Sequence, residues 1–157
     1  MKKLKPNNLK VLYCVAIVIS VFYLLCSSTF FKPTFIGANG NYTLHFNTPS
    51  SSASFKVFSC GEIASYKDFA FNVKGESLFL DFVNCEKQES LKFVNKQIKQ
   101  KRARLVFEEV GEWGICEYYY SPLIKNYVII KNKKVNLQIS YSLTSVTLGS
   151  PMIFGSF

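Results

Sequence analysis

The sequence predicts an α+β fold: a curved antiparallel sheet packed by one long helix, preceded by an N-terminal transmembrane or signal helix. Three observations carry that expectation. Lys2, Lys3, Lys5 and Lys10 stand before an unbroken apolar run, Val11–Cys26 (VLYCVAIVISVFYLLC), in which Ser20 is the one weakly polar residue. Beyond it, short segments alternate apolar and polar side chains at period two, as half-buried strands do. Between two groups of such segments the apolar spacing lengthens to that of a helix. The expected division is a membrane anchor or signal peptide at residues 1–31, a linker at 32–41 and one extracytoplasmic domain at 42–157.

The leader is read from charge and length. Its lysines precede the run and only Lys32 lies shortly after it, so the positive-inside rule puts the amino terminus inside and the domain outside. A spanning helix needs about 20 apolar residues and a signal-peptide core roughly 7–15. Val11–Cys26 holds 16 residues, or 21 when extended through Phe31. Cys26-Ser27-Ser28 offers small residues for cleavage before Thr29, so a retained anchor and a cleaved signal both stay open. A lipoprotein cysteine at Cys26 is disfavoured, because Leu25 fills a position that is normally small.

The elements follow in order. Lys32–Asn41, with Pro33, Gly37 and Asn39-Gly40, reads as the linker. Tyr42–Phe46 (YTLHF) alternates as a strand, Asn47–Ser54 is a polar loop and Phe55–Phe58 a second short strand. Phe69, Phe71 and Val73, then Leu78, Leu80 and Phe82, keep period two, and Lys74-Gly75-Glu76 between them predicts a hairpin turn. Leu91, Val94, Ile98 and Leu105 fit one helical face. A long helix is therefore expected over Cys85–Phe107, capped by Asn84, with Glu86 and Glu89 at its positive end, and stopped by Gly111 and Gly114. Strands return at Ile115–Tyr120, Tyr127–Ile130, Val135–Tyr141, Ser145–Leu148 and Met152–Phe154, punctuated by Ser121-Pro122, Asn132-Lys133 and Gly149-Ser150-Pro151. In Val135–Tyr141, apolar Val135, Leu137, Ile139 and Tyr141 alternate with Asn136, Gln138 and Ser140, as in a strand with one wet face. The helix needs a partner for its stripe and the sheet needs a cover, so helix on sheet is the economical packing.

Charge narrows the partners. Nineteen Lys and Arg against ten Asp and Glu give +9, but four of the lysines belong to the leader. Fifteen against ten remain, a domain charge of +5. That favours anionic lipid or an anionic wall polymer and falls short of a nucleic-acid footprint. Lys92, Lys96, Lys99, Lys101, Arg102 and Arg104 of the predicted helix are the candidate contacts to such a surface. Trp113, Tyr118 and Tyr120 are candidate contacts to a protein partner. The function expected is a non-enzymatic binding domain of the bacterial envelope, anchored or secreted, engaging another envelope protein or an anionic polymer.

Catalytic signals are weak. His45 alternates with Leu44 and Phe46 beside no acid or cysteine, and reads as a surface or edge-strand residue. Glu108, Glu109 and Glu112 form the one acidic cluster, and a small envelope hydrolase built on them is the alternative reading. It requires carboxylates from adjacent positions to converge, which an ordinary backbone does not allow. Cys14 and Cys26 lie in the apolar run; Cys60, Cys85 and Cys116 are an odd set in the domain, either three buried thiols or one disulfide with a thiol left over, and match no zinc spacing. No phosphate loop, nucleophile elbow or metal-binding helix motif is present, and no cofactor is expected.

The C-terminal residues carry a resemblance. Tyr120-Ser121-Pro122, Lys133-Lys134-Val135-Asn136-Leu137-Gln138-Ile139 and Leu148-Gly149-Ser150-Pro151-Met152-Ile153 resemble the tail of the YwmB family of exported proteins from endospore-forming bacteria. The resemblance covers about 40 residues and implies a fold labelled TATA-box-binding-like, a curved sheet backed by helices. It carries over no catalytic residue. DNA binding through a saddle-like sheet would be a third reading. A minor-groove saddle places basic and amide side chains on its concave face, whereas here the basic residues are expected on the helix.

Overall fold

The computed structural model describes residues 6–29, 32–46, 55–59, 63 and 73–154. The expected loop Asn47–Ser54, Phe69, Phe71, Cys60 and the first three lysines lie outside the described residues. The chain separates into two compact units, one holding the N-terminal helix and the other the sheet domain.

The first helix, α1 (Pro6–Thr29), is 24 residues long. Pro6 opens it, where a missing backbone N–H costs nothing. The apolar residues fall on every side of it. Val11, Leu12, Tyr13, Val15, Ile17, Val18, Ile19, Val21, Phe22 and Tyr23 are all between 49% and 73% exposed. Ser20 is satisfied within the helix, its hydroxyl donating to the Ala16 carbonyl at 2.8 Å. Among the described residues no helix is long and apolar enough to cross a membrane; in α1 the described side chains end at Tyr23.

The second unit is α+β. Its strands are β1 (Asn41–Phe46), β2 (Phe55–Ser59), β3 (Val73–Asp81), β4 (Arg104–Gly111), β5 (Gly114–Tyr120), β6 (Val128–Ile130), β7 (Lys133–Val135), β8 (Leu137–Tyr141) and β9 (Ser145–Ser150), with α2 (Lys87–Gln100) between β3 and β4. Seven strands pair antiparallel in the order β2-β1-β3-β9-β8-β5-β4, and β6 and β7 form a separate hairpin.

The register sorts the side chains. Tyr42 and Leu44 of β1, Leu78 and Leu80 of β3, Leu148 and Val146 of β9, and Ile139 and Leu137 of β8 share one face and are at most 1% exposed. Helix α2 packs against β9 and buries Val94. The opposite face is covered elsewhere. Cys116, Tyr118 and Val135 form a second cluster under Phe107, Val128 and Ile130, where the β6–β7 hairpin folds over the sheet. Lys131 and Asn132 at its tip both have positive φ, the geometry of a tight two-residue hairpin turn.

Several expectations change. The helix is shorter than Cys85–Phe107: it starts at Lys87, after Glu86 rather than Asn84, and ends at Gln100. Its stop is a Schellman motif without glycine. Ala103 N–H donates to the Ile98 carbonyl at 3.0 Å and Arg102 N–H to Lys99 at 3.1 Å, with Arg102 at φ 51°. Gly111 and Gly114 instead pair across the β4–β5 hairpin. Lys74-Gly75-Glu76 is not a turn but the interior of β3. Gly75 is there because a Cβ would sit 2.2 Å from the Phe154 ring and 2.9 Å from the Ser150 carbonyl oxygen. Val135–Tyr141 is broken at Asn136, and Asn136, Gln138 and Ser140 are buried rather than wet. Met152–Phe154 is not a strand. The expected linker holds Phe35, whose side chain is fully buried.

Candidate functional site

The basic residues predicted to act together fall into three groups. Lys92, Lys96 and Lys99 recur at i, i+4 and i+7 and are exposed, on the side of α2 opposite the buried Ser90, Val94 and Gln97. Lys101 is not on that face. Eleven residues after Ser90, it continues the buried stripe, and its ammonium donates to the Thr34 carbonyl at 2.8 Å and lies 5.7 Å from the Phe35 ring centroid. Arg102 and Arg104 are exposed, but Arg102 follows the helix end and Arg104 opens β4.

The predicted aromatics also divide. Trp113, 41% exposed, sits in the β4–β5 turn. Tyr118 is buried, stacked on Phe107 at 4.3 Å, and its hydroxyl donates to Glu109 at 2.8 Å, so it is an interior residue rather than a partner contact. Tyr120 is half-buried at the end of β5.

Glu108, Glu109 and Glu112 do not converge. Successive residues of β4 point to opposite faces, so Glu108 stands opposite Glu117 on one side while Glu109 stands opposite Cys116 on the other. Glu112 is exposed in the turn. Glu109 pairs with Lys131 at 2.7 Å. That ion pair, with the Tyr118 hydroxyl, holds its carboxyl below the usual carboxylate range. Glu117 accepts the Tyr119 hydroxyl at 2.8 Å. His45 is not at an edge: β1 lies between β2 and β3, and the His45 ring is 5.2 Å from Phe154, with burial pushing its pKa down and Lys74 adding to that.

Sequence reasoning missed the most unusual group. Glu76 is 5% exposed on the face that faces α2. Its carboxylate accepts the Tyr42 hydroxyl, the Thr34 hydroxyl and the Thr34 backbone N–H, the last at 2.9 Å. Register explains the first: Leu44 stands opposite Glu76 and Tyr42 opposite Leu78, so Tyr42 is the diagonal neighbour on the same face. Burial pushes the Glu76 carboxyl up to about 7, against the lowering effect of its donors and of Lys101. Burial likewise lowers Lys101, opposed by Glu76, and raises the Tyr42 phenol. The cluster ties the segment before β1 to the sheet and to the end of α2. Three donors from two residues close on one buried carboxyl, the arrangement of a polar staple.

The residues of the C-terminal resemblance hold one another in the same way. The Asn136 amide accepts the Ser121 N–H at 2.7 Å and donates to the carbonyls of Ser121 at 2.7 Å and Ile124 at 2.9 Å. Gln138 donates to Cys116 Sγ at 2.9 Å and accepts the Ile153 N–H at 2.9 Å. Cys116 is buried, and Cys85 is half-exposed with its Sγ 2.8 Å from the Asn39 carbonyl oxygen. Among the described residues no group of three or more His, Cys, Asp or Glu is placed to hold a metal ion. Compared with known proteins, the chain matches no family model, no curated protein and no solved structure.

Proposed function

We propose that this chain is a membrane-tethered, non-enzymatic binding domain of the bacterial envelope, of the kind its C-terminal resemblance to the YwmB family implies. The domain lies outside the cell and turns the Lys92–Lys96–Lys99 face of α2 toward an anionic polymer or lipid. The observation that carries this is the surface of α1. A helix apolar on all sides, with every large side chain from Val11 to Tyr23 at least 49% exposed, has no stripe to bury against its own domain and calls for a lipid environment. Of its 24 residues the apolar run Val11–Cys26 has 16 and extends about 24 Å at 1.5 Å each, against a hydrocarbon core of about 30 Å, so a span would draw on the residues that flank it. The lysine face lies opposite the packed side of α2, and its three charges take part in no ion pair among the described residues. The hydrogen bonds linking Ser121, Asn136, Gln138 and Ile153 give the resemblance a packing rationale and no catalytic one. A DNA-binding saddle is not favoured, since α2 packs on one face of the sheet and the β6–β7 hairpin on the β4–β5 end of the other.

The test is fractionation of the full chain expressed in a bacterium with a tag after Phe157. The chain is expected to resist alkaline extraction from membranes and to lose its tag when intact cells are treated with protease. Replacing Ile17 and Ile19 by Lys, at about 2.5–3.5 kcal/mol each, should abolish membrane retention. A full-length chain recovered in the soluble fraction would overturn the tether. Retention on a poly(glycerol phosphate) matrix should fall about a hundredfold when Lys92, Lys96 and Lys99 become Ser, at about 1 kcal/mol per lysine.

A further inference from the structure

We propose that the outer face of the β6–β7 hairpin is a docking surface for an anionic phospholipid bilayer. The register sorts the hairpin into two sides. Val128 stands opposite Val135, Ile129 opposite Lys134 and Ile130 opposite Lys133. Val135 is buried, and Val128 and Ile130 pack on the cluster of Cys116 and Tyr118, so their side faces the sheet. Ile129 and Lys134 therefore face away from it. Tyr127, two residues before Ile129, joins them, with the Lys134 ammonium 4.5 Å from its ring centroid. Tyr127 is 48% exposed and Ile129 58%, and Leu123, in the connection that leads to β6, is also 58% exposed.

Charge selects the partner. Residues 121–135 hold Lys125, Lys131, Lys133 and Lys134 and no acid. Lys131 is engaged by Glu109, the one ion pair among the described residues. Lys133 reaches back to the sheet, where its ammonium lies 6.0 Å from the Phe107 ring centroid and 3.4 Å from the Val106 carbonyl oxygen. Lys125 and Lys134 are exposed and pair with no carboxylate among the described residues. One exposed apolar side chain on a surface is ordinary. Here Tyr127 and Ile129 share a face with an uncompensated lysine, in a segment that carries only positive charge.

The apolar side chains distinguish a bilayer from a soluble polyanion. A phosphate polymer offers nothing to Ile129 or Leu123, whereas the boundary between headgroups and acyl chains takes aliphatic side chains, a tyrosine ring and lysines together. A protein partner is a poor match in size. The hairpin has two strands of three residues, against about 20–30 residues a side in a stable protein interface. The inference rests on the tether proposed above in one respect. Two lysines, each worth about fivefold in affinity, bind weakly alone, and tethering supplies the effective concentration that makes such contacts count. It also divides the labour of the basic surfaces. Helix α2 packs on the opposite face of the sheet, so its Lys92–Lys96–Lys99 face is left for a polymer while the hairpin meets lipid.

The experiment places the full chain in nanodiscs of phosphatidylcholine, with and without phosphatidylglycerol. Lysine acetylation by an N-hydroxysuccinimide ester is followed by peptide mass spectrometry, with Lys92, Lys96 and Lys99 as internal references. Acetylation of Lys125 and Lys134 is expected to slow about fivefold in the anionic discs and to recover in high salt. Ile129→Ser and Leu123→Ser should each return part of the lost rate, and Val110→Ser, an exposed residue of β4, should change nothing. The proposal is overturned if Lys125 and Lys134 react equally in both discs, or if only the α2 lysines are slowed. It is also overturned if poly(glycerol phosphate) added to phosphatidylcholine discs protects the two lysines equally, or if both apolar variants keep full protection. A chain that does not stay with the discs refutes the tether instead, and flotation with phosphatidylglycerol vesicles then decides the hairpin. Flotation lost when Lys125 and Lys134 both become Ser supports it; no flotation, or flotation unchanged in that variant, overturns it.

Discussion

The sheet uses the same pair, a tyrosine hydroxyl donated to a glutamate, at its two ends and with opposite results. On β1 and β3, Tyr42 donates to Glu76, and the carboxyl is pushed up to about 7. On β4 and β5, Tyr118 donates to Glu109, and the carboxyl is held below the usual range. The hydrogen bond lowers the carboxyl in both cases, so it is not the cause of the difference. Glu76 is 5% exposed, and desolvation outweighs its three donors and Lys101. The Glu109 side chain is 37% exposed and has Lys131 at 2.7 Å, so little desolvation opposes its ion pair. Their places make this difference: Glu76 lies on the face toward α2, closed in by Thr34 and Lys101, whereas Glu109 lies on the other face of the edge strand β4, beside the exposed Lys131. Burial thus decides whether one and the same side-chain pair is a structural staple or a surface charge.

The largest break in that comparison comes from removing each carboxylate. Glu76→Ala takes the acceptor from the Tyr42 and Thr34 hydroxyls and leaves the Thr34 N–H only the Tyr42 oxygen at 3.0 Å, and should cost about 3 kcal/mol in denaturant unfolding of the full chain in detergent. Glu109→Ala should cost under about 1 kcal/mol, as exposed pairs do. Equal losses would show that the two pairs are energetically alike.

The next effect is a pH slope of opposite sign in the two regions. Glu76 titrates at about 7 in the fold against 4.5 when exposed, so between those values the folded chain binds more protons than the unfolded one. Its stabilising contribution is complete below about pH 4.5 and is lost as pH rises through about 7, at most about 3 kcal/mol in all. Glu109 behaves conversely: its contribution is present above 4.5 and is lost as pH falls through its depressed folded value, reduced to a few tenths of a kcal/mol by solvent. Stability measured from pH 4.5 to 7.5 should therefore decline in the native chain and lose most of that slope in Glu76→Gln, while Glu109→Gln keeps it. A slope that survives in Glu76→Gln would remove Glu76 as its source.

The two regions were not equally legible in the sequence. The alternation of Tyr42–Phe46 and Ile115–Tyr120 gave both strands and their faces, since period two needs only local residues. Leu105, by contrast, falls on the helical face of Leu91, Val94 and Ile98, and that coincidence carried the expected helix through a segment that is β4. Its Val106, Phe107 and Val110 were the contrary signal, being β-branched or aromatic. Glu76 was hidden for two reasons. Lys-Gly-Glu has the composition of a turn, and the partners of Glu76 lie 42, 34 and 25 residues away at Thr34, Tyr42 and Lys101, so only the folded register joins them. Lys101 did leave a trace, at the spacing that continues Ser90, Val94 and Gln97.

The finest test of the comparison separates charge from hydroxyl at the exposed end. Lys131 also lies 5.1 Å from the Phe107 ring centroid, which in turn stacks on Tyr118, so one ammonium serves both the carboxylate and the aromatic pair. In Lys131→Met the Glu109 carboxyl should rise toward the usual value, because the ion pair is the largest cause of its depression, with Tyr118 second. Tyr118→Phe should raise it less, and the two together should restore ordinary carboxylate titration, followed by NMR of the side-chain carboxyl. Stability should change by about 0.5 kcal/mol or less in Lys131→Met, and the change should vanish in high salt, as for any screened surface pair. If the carboxyl stays depressed in the double variant, then the sheet backbone rather than these two partners sets it, and the contrast with Glu76 would rest on strand position instead of burial.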